Sequence, residues 1–102
     1  MVLVIKTLKT YTKEIVGKET NNFGCYELLA TTVNVHYIGE GKVRDQLLSH
    51  FNGGNAPCPG TKFYRVEYTG SKEKAVQKQN ALLKAYEKKY GRLPKYNQKK
   101  HA

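Results

Sequence analysis

Gly24-Cys25-Tyr26-Glu27-Leu28-Leu29-Ala30 is followed, after Thr31-Thr32, by Val33-Asn34-Val35-His36-Tyr37-Ile38-Gly39. The reading of this stretch decides the fold. In its first half Tyr26, Leu28 and Ala30 fall on one side of an extended chain, and Cys25, Glu27 and Leu29 on the other. Its second half alternates again, with Val33, Val35 and Tyr37 sharing a face. Two alternating runs joined by so short a link read as an antiparallel hairpin. Gly39 and Gly41 break the second strand, and from Lys42 the period changes. Val43, Leu47 and Phe51 recur every fourth residue, the apolar stripe of a short helix over Lys42–Phe51. Gln46 and His50 lie on the flank of that stripe, four apart and therefore neighbours. Arg44 points elsewhere, about 200° from Gln46 around the axis.

Outward from this unit the pattern continues. Asn55 to Thr61 reads as a loop punctuated by Pro57, Pro59 and Gly60. Lys62–Tyr68 alternates and reads as a third strand. Ser71 is a natural helix N-cap with Glu73 in the first turn. Ala75, Leu82, Leu83, Tyr86 and Tyr90 then keep a helical rhythm until Gly91 and Pro94. Gln79 stands inside that apolar stripe, where a polar group needs a partner or a pocket. Before the hairpin, Gly17–Asn22 reads as a polar loop. Residues 1–16 are ambiguous. Val2–Ile5 reads as a strand, yet Val4, Leu8, Tyr11 and Ile15 recur at helical spacing; the threonines and valines tip the reading toward strand. The expected organisation is an N-terminal extension over 1–22, one domain over 23–97 and a basic tail over 98–102, with the segment from Lys95 onward loosely held.

Composition narrows the function. Among 102 residues, 18 are Lys or Arg and 8 are Asp or Glu, a formal charge of +10. A small basic domain attracts polyanions by its summed field. Eight tyrosines and three phenylalanines among the lysines suit nucleic acid, because aromatic faces stack on bases while lysines track phosphates. The plain alternative for the lysine runs Lys72–Lys78 and Lys84–Lys89 is a solvated helix face. Cys25 and Cys58 make no disulfide framework, and no histidine stands at zinc-ligand spacing from either. The apolar start Met1–Ile5 is too short to span a membrane and lacks the features of a signal peptide. No membrane partner and a cytoplasmic location with reduced thiols are expected.

Gly24-Cys25-Tyr26 followed by Tyr37-Ile38-Gly39 resembles the two-strand signature of the GIY-YIG nuclease superfamily, with cysteine in place of the usual isoleucine. The order of hairpin, helix, strand, helix and closing Pro94-Lys95-Tyr96-Asn97 is similar too, over roughly residues 23 to 97. The resemblance implies a small α/β (α+β) domain with a three-stranded, mostly antiparallel sheet flanked by helices. It also implies phosphodiester hydrolysis with one divalent metal such as Mg²⁺. Tyr26 and Tyr37 then match the motif tyrosines, and His50 falls near the helix end where the family often has histidine or tyrosine. Asn97 matches the closing asparagine. The family's arginine falls on Gln46, and its metal-holding glutamate falls on Gln79. Glutamine supplies no positive charge at a phosphate, and its neutral amide is a poor ligand for a hard metal.

The resemblance therefore implies a candidate catalytic set of Tyr26, Tyr37, Gln46, His50 and Gln79, with Gln79 also the weak metal position. Lys42, Arg44 and Asn97 are candidate nucleic-acid contacts. The expectation is a nucleic-acid-binding protein, DNA more than RNA, on a nuclease scaffold whose site is degenerate. The alternatives are a working metal-dependent endonuclease and a protein-interaction module.

Overall fold

The computed structural model describes residues 7–51 and 53–98. The strand expected at Val2–Ile5 and the tail beyond Gln98 lie outside them. In chain order the elements are β1 (Lys9–Thr10), α1 (Lys13–Val16), β2 (Phe23–Leu29), β3 (Val35–Lys42), α2 (Val43–Ser49), β4 (Phe63–Tyr68), α3 (Lys72–Tyr90) and a 3₁₀ turn (Lys95–Asn97). The strands form one sheet in the order β1-β4-β2-β3, and every pairing is antiparallel. The α+β class is as expected. The three expected strands are present as β2, β3 and β4, and the two-residue β1 extends the sheet beyond β4.

The hairpin forms because both runs alternate and therefore each offers an apolar face. Tyr26 pairs with Gly39, and Leu28 with Tyr37. β2 is central, with β4 on its other side in a register that sets Tyr26 beside Val66 and Leu28 beside Tyr64. These four side chains project to one face. There they bury against Val43 and Leu47 of α2, Val16 of α1, and Tyr11. Cys25 and Ile38 project to the opposite face, where Leu82 of α3 covers them with Val35, Leu83 and Tyr86 alongside. The sheet thus separates two helical layers, with α1 and α2 on one side and α3 on the other. Ser71 caps α3 by accepting from the Lys74 amide at 3.2 Å, and Gly91 ends it in a left-handed conformation at φ 75°.

Three expectations need correction. The lean toward strand for residues 1–16 fails over Lys13–Val16, which is a helical turn capped by Thr12. Tyr11 anchors this segment. Its hydroxyl donates to Leu47 O at 2.6 Å, and its ring stacks on Phe51 at 4.1 Å. Burial of that aromatic pair outweighs local propensity. Second, Val35 does not share a face with Tyr37 but packs beside Ile38. The cause is at His36. It lies where the β2–β3 pairing steps from Tyr37 to Val35, and it is 5% exposed. Thr61 donates its hydroxyl proton to Cys58 O, so His36 Nε2–H must be the donor in its 2.7 Å contact with Thr61 Oγ1. Third, the segment from Lys95 is not loose as far as Asn97. The Asn97 amide grips the backbone of Ile38 from both sides, with Ile38 N–H donating to Oδ1 at 2.8 Å and Nδ2 donating to Ile38 O at 2.9 Å.

Candidate functional site

Tyr26 is fully buried on the central strand, and its hydroxyl lies 2.7 Å from His50 Nε2. His50 is the residue that ends α2, and it is 3% exposed. Its other ring nitrogen, Nδ1, lies 2.7 Å from Ala56 O. A carbonyl oxygen can only accept, so Nδ1 carries the hydrogen. In the neutral ring Nε2 then accepts, and Tyr26 donates. Tyr37 packs against both, its ring centroid 6.1 Å from that of Tyr26 and 4.8 Å from the imidazole. The one Tyr26 hydrogen is committed to His50. The result is a directed chain from Tyr26 through His50 to Ala56. Tyr26 forms its buried start, with half-buried Tyr37 packed at its side. Cys58 Sγ sits 3.5 Å from Nδ1 and closes the back of the cluster.

Burial sets the protonation states. It pushes the Tyr26 phenol well above its ordinary value of 10, and the neighbouring Tyr37 adds to this. Burial raises Tyr37 as well, with Cys58 contributing. The His50 imidazole is lowered from 6.5 by burial, partly opposed by its bond to Ala56. At neutral pH the cluster therefore holds two phenols and a neutral imidazole that already accepts a phenolic proton.

Glycine makes room for this arrangement. A Cβ on Gly39 would stand 2.5 Å from both Cζ and the hydroxyl oxygen of Tyr26, and 2.7 Å from Tyr37 Cε2. Two residues along the same strand face, Gly41 has φ 132° and receives the Gln46 side chain, whose Cγ would be 3.0 Å from a Cβ there. Gln46 is thus seated beside the tyrosine cluster, half-buried against glycine.

The remaining candidates do not join it. Gln79 lies between Ala75 and Leu82 on α3, in the layer on the opposite face of the sheet from Tyr26. Lys42 is exposed at the end of β3, with Nζ 5.9 Å from the Phe23 ring. The amides at the start of α2 are taken by protein groups: Val43 N–H donates to Asn22 O and Asp45 N–H to Asn21 Oδ1. Arg44 is half-buried on α2. Asn97, the third candidate nucleic-acid contact, has its amide engaged with the Ile38 backbone.

The side chains present do not fit the divalent metal that the resemblance implies. Among the described residues no three of His, Cys, Asp and Glu converge to hold an ion. Gln79 offers a neutral amide. The acids on the α3 side of the sheet are paired, Glu27 with Arg65 at 2.8 Å, Glu40 with Lys72 at 2.8 Å and Glu67 with Lys78 at 3.6 Å.

Two buried carboxylates escaped the reading of the sequence. Glu19 is 7% exposed and accepts from Lys9 Nζ at 2.7 Å, from the Tyr64 hydroxyl at 2.5 Å and from the Tyr68 hydroxyl at 2.7 Å. Burial alone would raise its pKa, but these donors and the Lys9 charge hold it below 4.5. Glu27 is 5% exposed, and burial raises it despite Arg65. A signal for Glu27 was present: it alternates onto the same face as its β4 register partner Arg65. Glu19 lies in a loop and leaves no periodic trace.

A family model described as a domain of unknown function, DUF7508, matches residues 1–89. No curated protein and no solved structure matches the chain. The chain belongs to the DUF7508 family.

Proposed function

We propose that this chain is a nucleic-acid-binding domain on a GIY-YIG-like scaffold, acting in the cytoplasm on DNA more than RNA, with hydrolysis impaired. The observation that carries the proposal is the pairing of a +10 charge with a neutral pocket. Where the resemblance expects a cation beside the motif tyrosines stands Gln46, folded onto Gly41. Losing one preorganised donor of that kind costs about 10²- to 10³-fold in rate. The carboxylate position, Gln79, is both neutral and in the other layer. What remains is a basic surface able to neutralise phosphates. Among the described residues no helix is long and apolar enough to cross a membrane.

One observation favours the second reading, a working endonuclease. His50 Nε2 already accepts the Tyr26 proton, which is what activation of a phenol requires. A plasmid-nicking assay with Mg²⁺ and a duplex-binding titration separate the readings. The proposal expects binding that weakens steeply with salt, by a log–log slope of about 0.9 per phosphate neutralised, and no nicks. An affinity indifferent to salt would remove the binding function. Nicking that disappears in Tyr37→Phe would establish the enzyme instead.

A further inference from the structure

The lysines of α3 differ along its length, with Lys74 near the start exposed and in no ion pair among the described residues. At its N-terminal half Lys72 pairs with Glu40, and Lys78 with Glu67. At its C-terminal end Lys84, Lys88, Lys89, Arg92 and Lys95 are all exposed, and none forms an ion pair among the described residues; Glu87 is the lone acid among them. In the middle of these cations Tyr90 is 46% exposed. Its ring rests against Tyr86 at 4.5 Å, with Lys89 Nζ 5.2 Å and Arg92 Cζ 6.0 Å from its centroid. The left-handed turn at Gly91 folds the chain back and brings Arg92 over the ring. Tyr86 is itself fixed, its hydroxyl donating to Val35 O at 3.4 Å.

An open groove of about 600 Å³ runs down the same helix toward this ring, lined by Gln77, Asn80, Leu83, Lys84, Glu87 and Leu93. Leu83 and Glu87 precede Tyr90 by two turns and one turn, so groove and ring are neighbours on the helix surface.

We propose that the C-terminal end of α3 is a stacking platform for unpaired nucleotides of a single-stranded nucleic acid. The inference rests on the nucleic-acid-binding reading but concerns a separate surface. Tyr90 supplies an exposed π-face backed by a second aromatic. Lys89 and Arg92 are long and flexible, so a base can take their place over the ring while their charges move to the flanking phosphates. Gln77 and Asn80 offer amides to base edges, and Lys84 offers a cation to the backbone. A duplex keeps its base faces covered, so the platform selects single strands. It stands apart from the Tyr26–His50 cluster, in the other layer. Lys72 reaches Glu40 near one end of β3 while Tyr86 reaches Val35 at the other, five strand steps or about 17 Å away.

The test is fluorescence anisotropy of the full chain with labelled oligo-dT, oligo-rU and a duplex of mixed sequence at low salt. Tyr90→Ala is expected to weaken single-strand binding roughly 5- to 150-fold, the worth of one stacked base, and to leave duplex binding unchanged. Tyr90→Phe keeps the ring and is expected to bind like the unaltered chain. A loss on either oligonucleotide supports the platform and says which sugar it takes. Single-strand affinity untouched by Tyr90→Ala overturns it, as does a Tyr90→Phe defect equal to that of alanine. Duplex binding without single-strand binding removes the platform alone, whereas failure to bind any of the three removes the general nucleic-acid reading with it.

Discussion

Acidification should destabilise this domain well above the range in which carboxylates titrate. His50 and His36 are both buried, and burial lowers both from the ordinary 6.5, with Lys95 adding to the effect at His36 and Ala56 opposing it at His50. His50 has no room for a second proton, because Nδ1–H is given to Ala56 and Nε2 holds the Tyr26 hydroxyl. Below pH 6.5 the unfolded chain therefore binds protons that the native chain refuses. Stability is complete above the unfolded value, falls as pH drops through it, and levels off once the lowered native value is reached. For a histidine that stays neutral throughout, going from about pH 7.5 to about pH 5.5 removes at most about 1.4 kcal/mol, so the pair together removes at most ~2.7 kcal/mol. Against a typical total of about 5–15 kcal/mol this is a large loss. Glu27, raised by burial, acts with the opposite sign and offsets part of the histidine loss. Urea unfolding followed by far-UV circular dichroism at several pH values measures the effect. His50→Gln and His36→Gln should each remove about half of the slope. A stability independent of pH over this range, or one that rises on acidification, would refute the assignment of buried neutral imidazoles.

Further outcomes follow from the same geometry. Gly39→Ala drives a methyl into Tyr26 and Tyr37, both held by packing, and should cost about 1–3 kcal/mol or more, read as a lowered urea midpoint at constant m. Asn97→Ala strips the edge strand of its clamp. A loss of about 1–3 kcal/mol is expected, with faster hydrogen exchange at the Ile38 amide, and protection equal to the unaltered chain would show the clamp to be idle. Glu19→Gln removes the charge that gathers Lys9, Tyr64 and Tyr68. It should destabilise at neutral pH and abolish the part of the stability that disappears in acid, which for a lowered carboxyl is present above 4.5 and lost below. The double variant Gln46→Arg, Gln79→Glu restores both charges the resemblance expects, yet the two positions lie in different layers, so no nicking activity should appear on plasmid with Mg²⁺. Its appearance would mean that the two positions meet around the β3 edge.

The hairpin, the third strand and the long helix were legible because each depends on local order. Alternation in Cys25–Ala30 fixes which side chains share a face there, whereas the register step at His36 puts Val35 with Ile38 and not with Tyr37; the 3.6-residue stripe bounded by Ser71 and Gly91 fixes α3. The neighbourhood of Tyr26 and Tyr37 was legible for the same reason, since paired strands with matched alternation bring same-face residues together. Gln46 and His50 followed from their four-residue spacing, with α2 coming directly after β3.

Periodicity, however, says nothing about which helix covers which face. Only the packed sheet set α3 against Cys25 and Ile38, and thereby moved Gln79 away from the tyrosines it was expected to face. Only tertiary burial decided that His36 turns inward, that Glu19 holds two tyrosines and a lysine, and that Asn97 serves the β3 backbone. The physical reason is common to these cases. A polar side chain in a loop, or at a break in register, has no sequence neighbours that announce its partner; its hydrogen bonds are chosen when distant segments exclude water together. The sequence by itself determined the hairpin, the third strand, the helices α2 and α3 and the excess of positive charge. The tertiary structure determined which of those charges gather about an exposed ring, at the end of α3 around Tyr90.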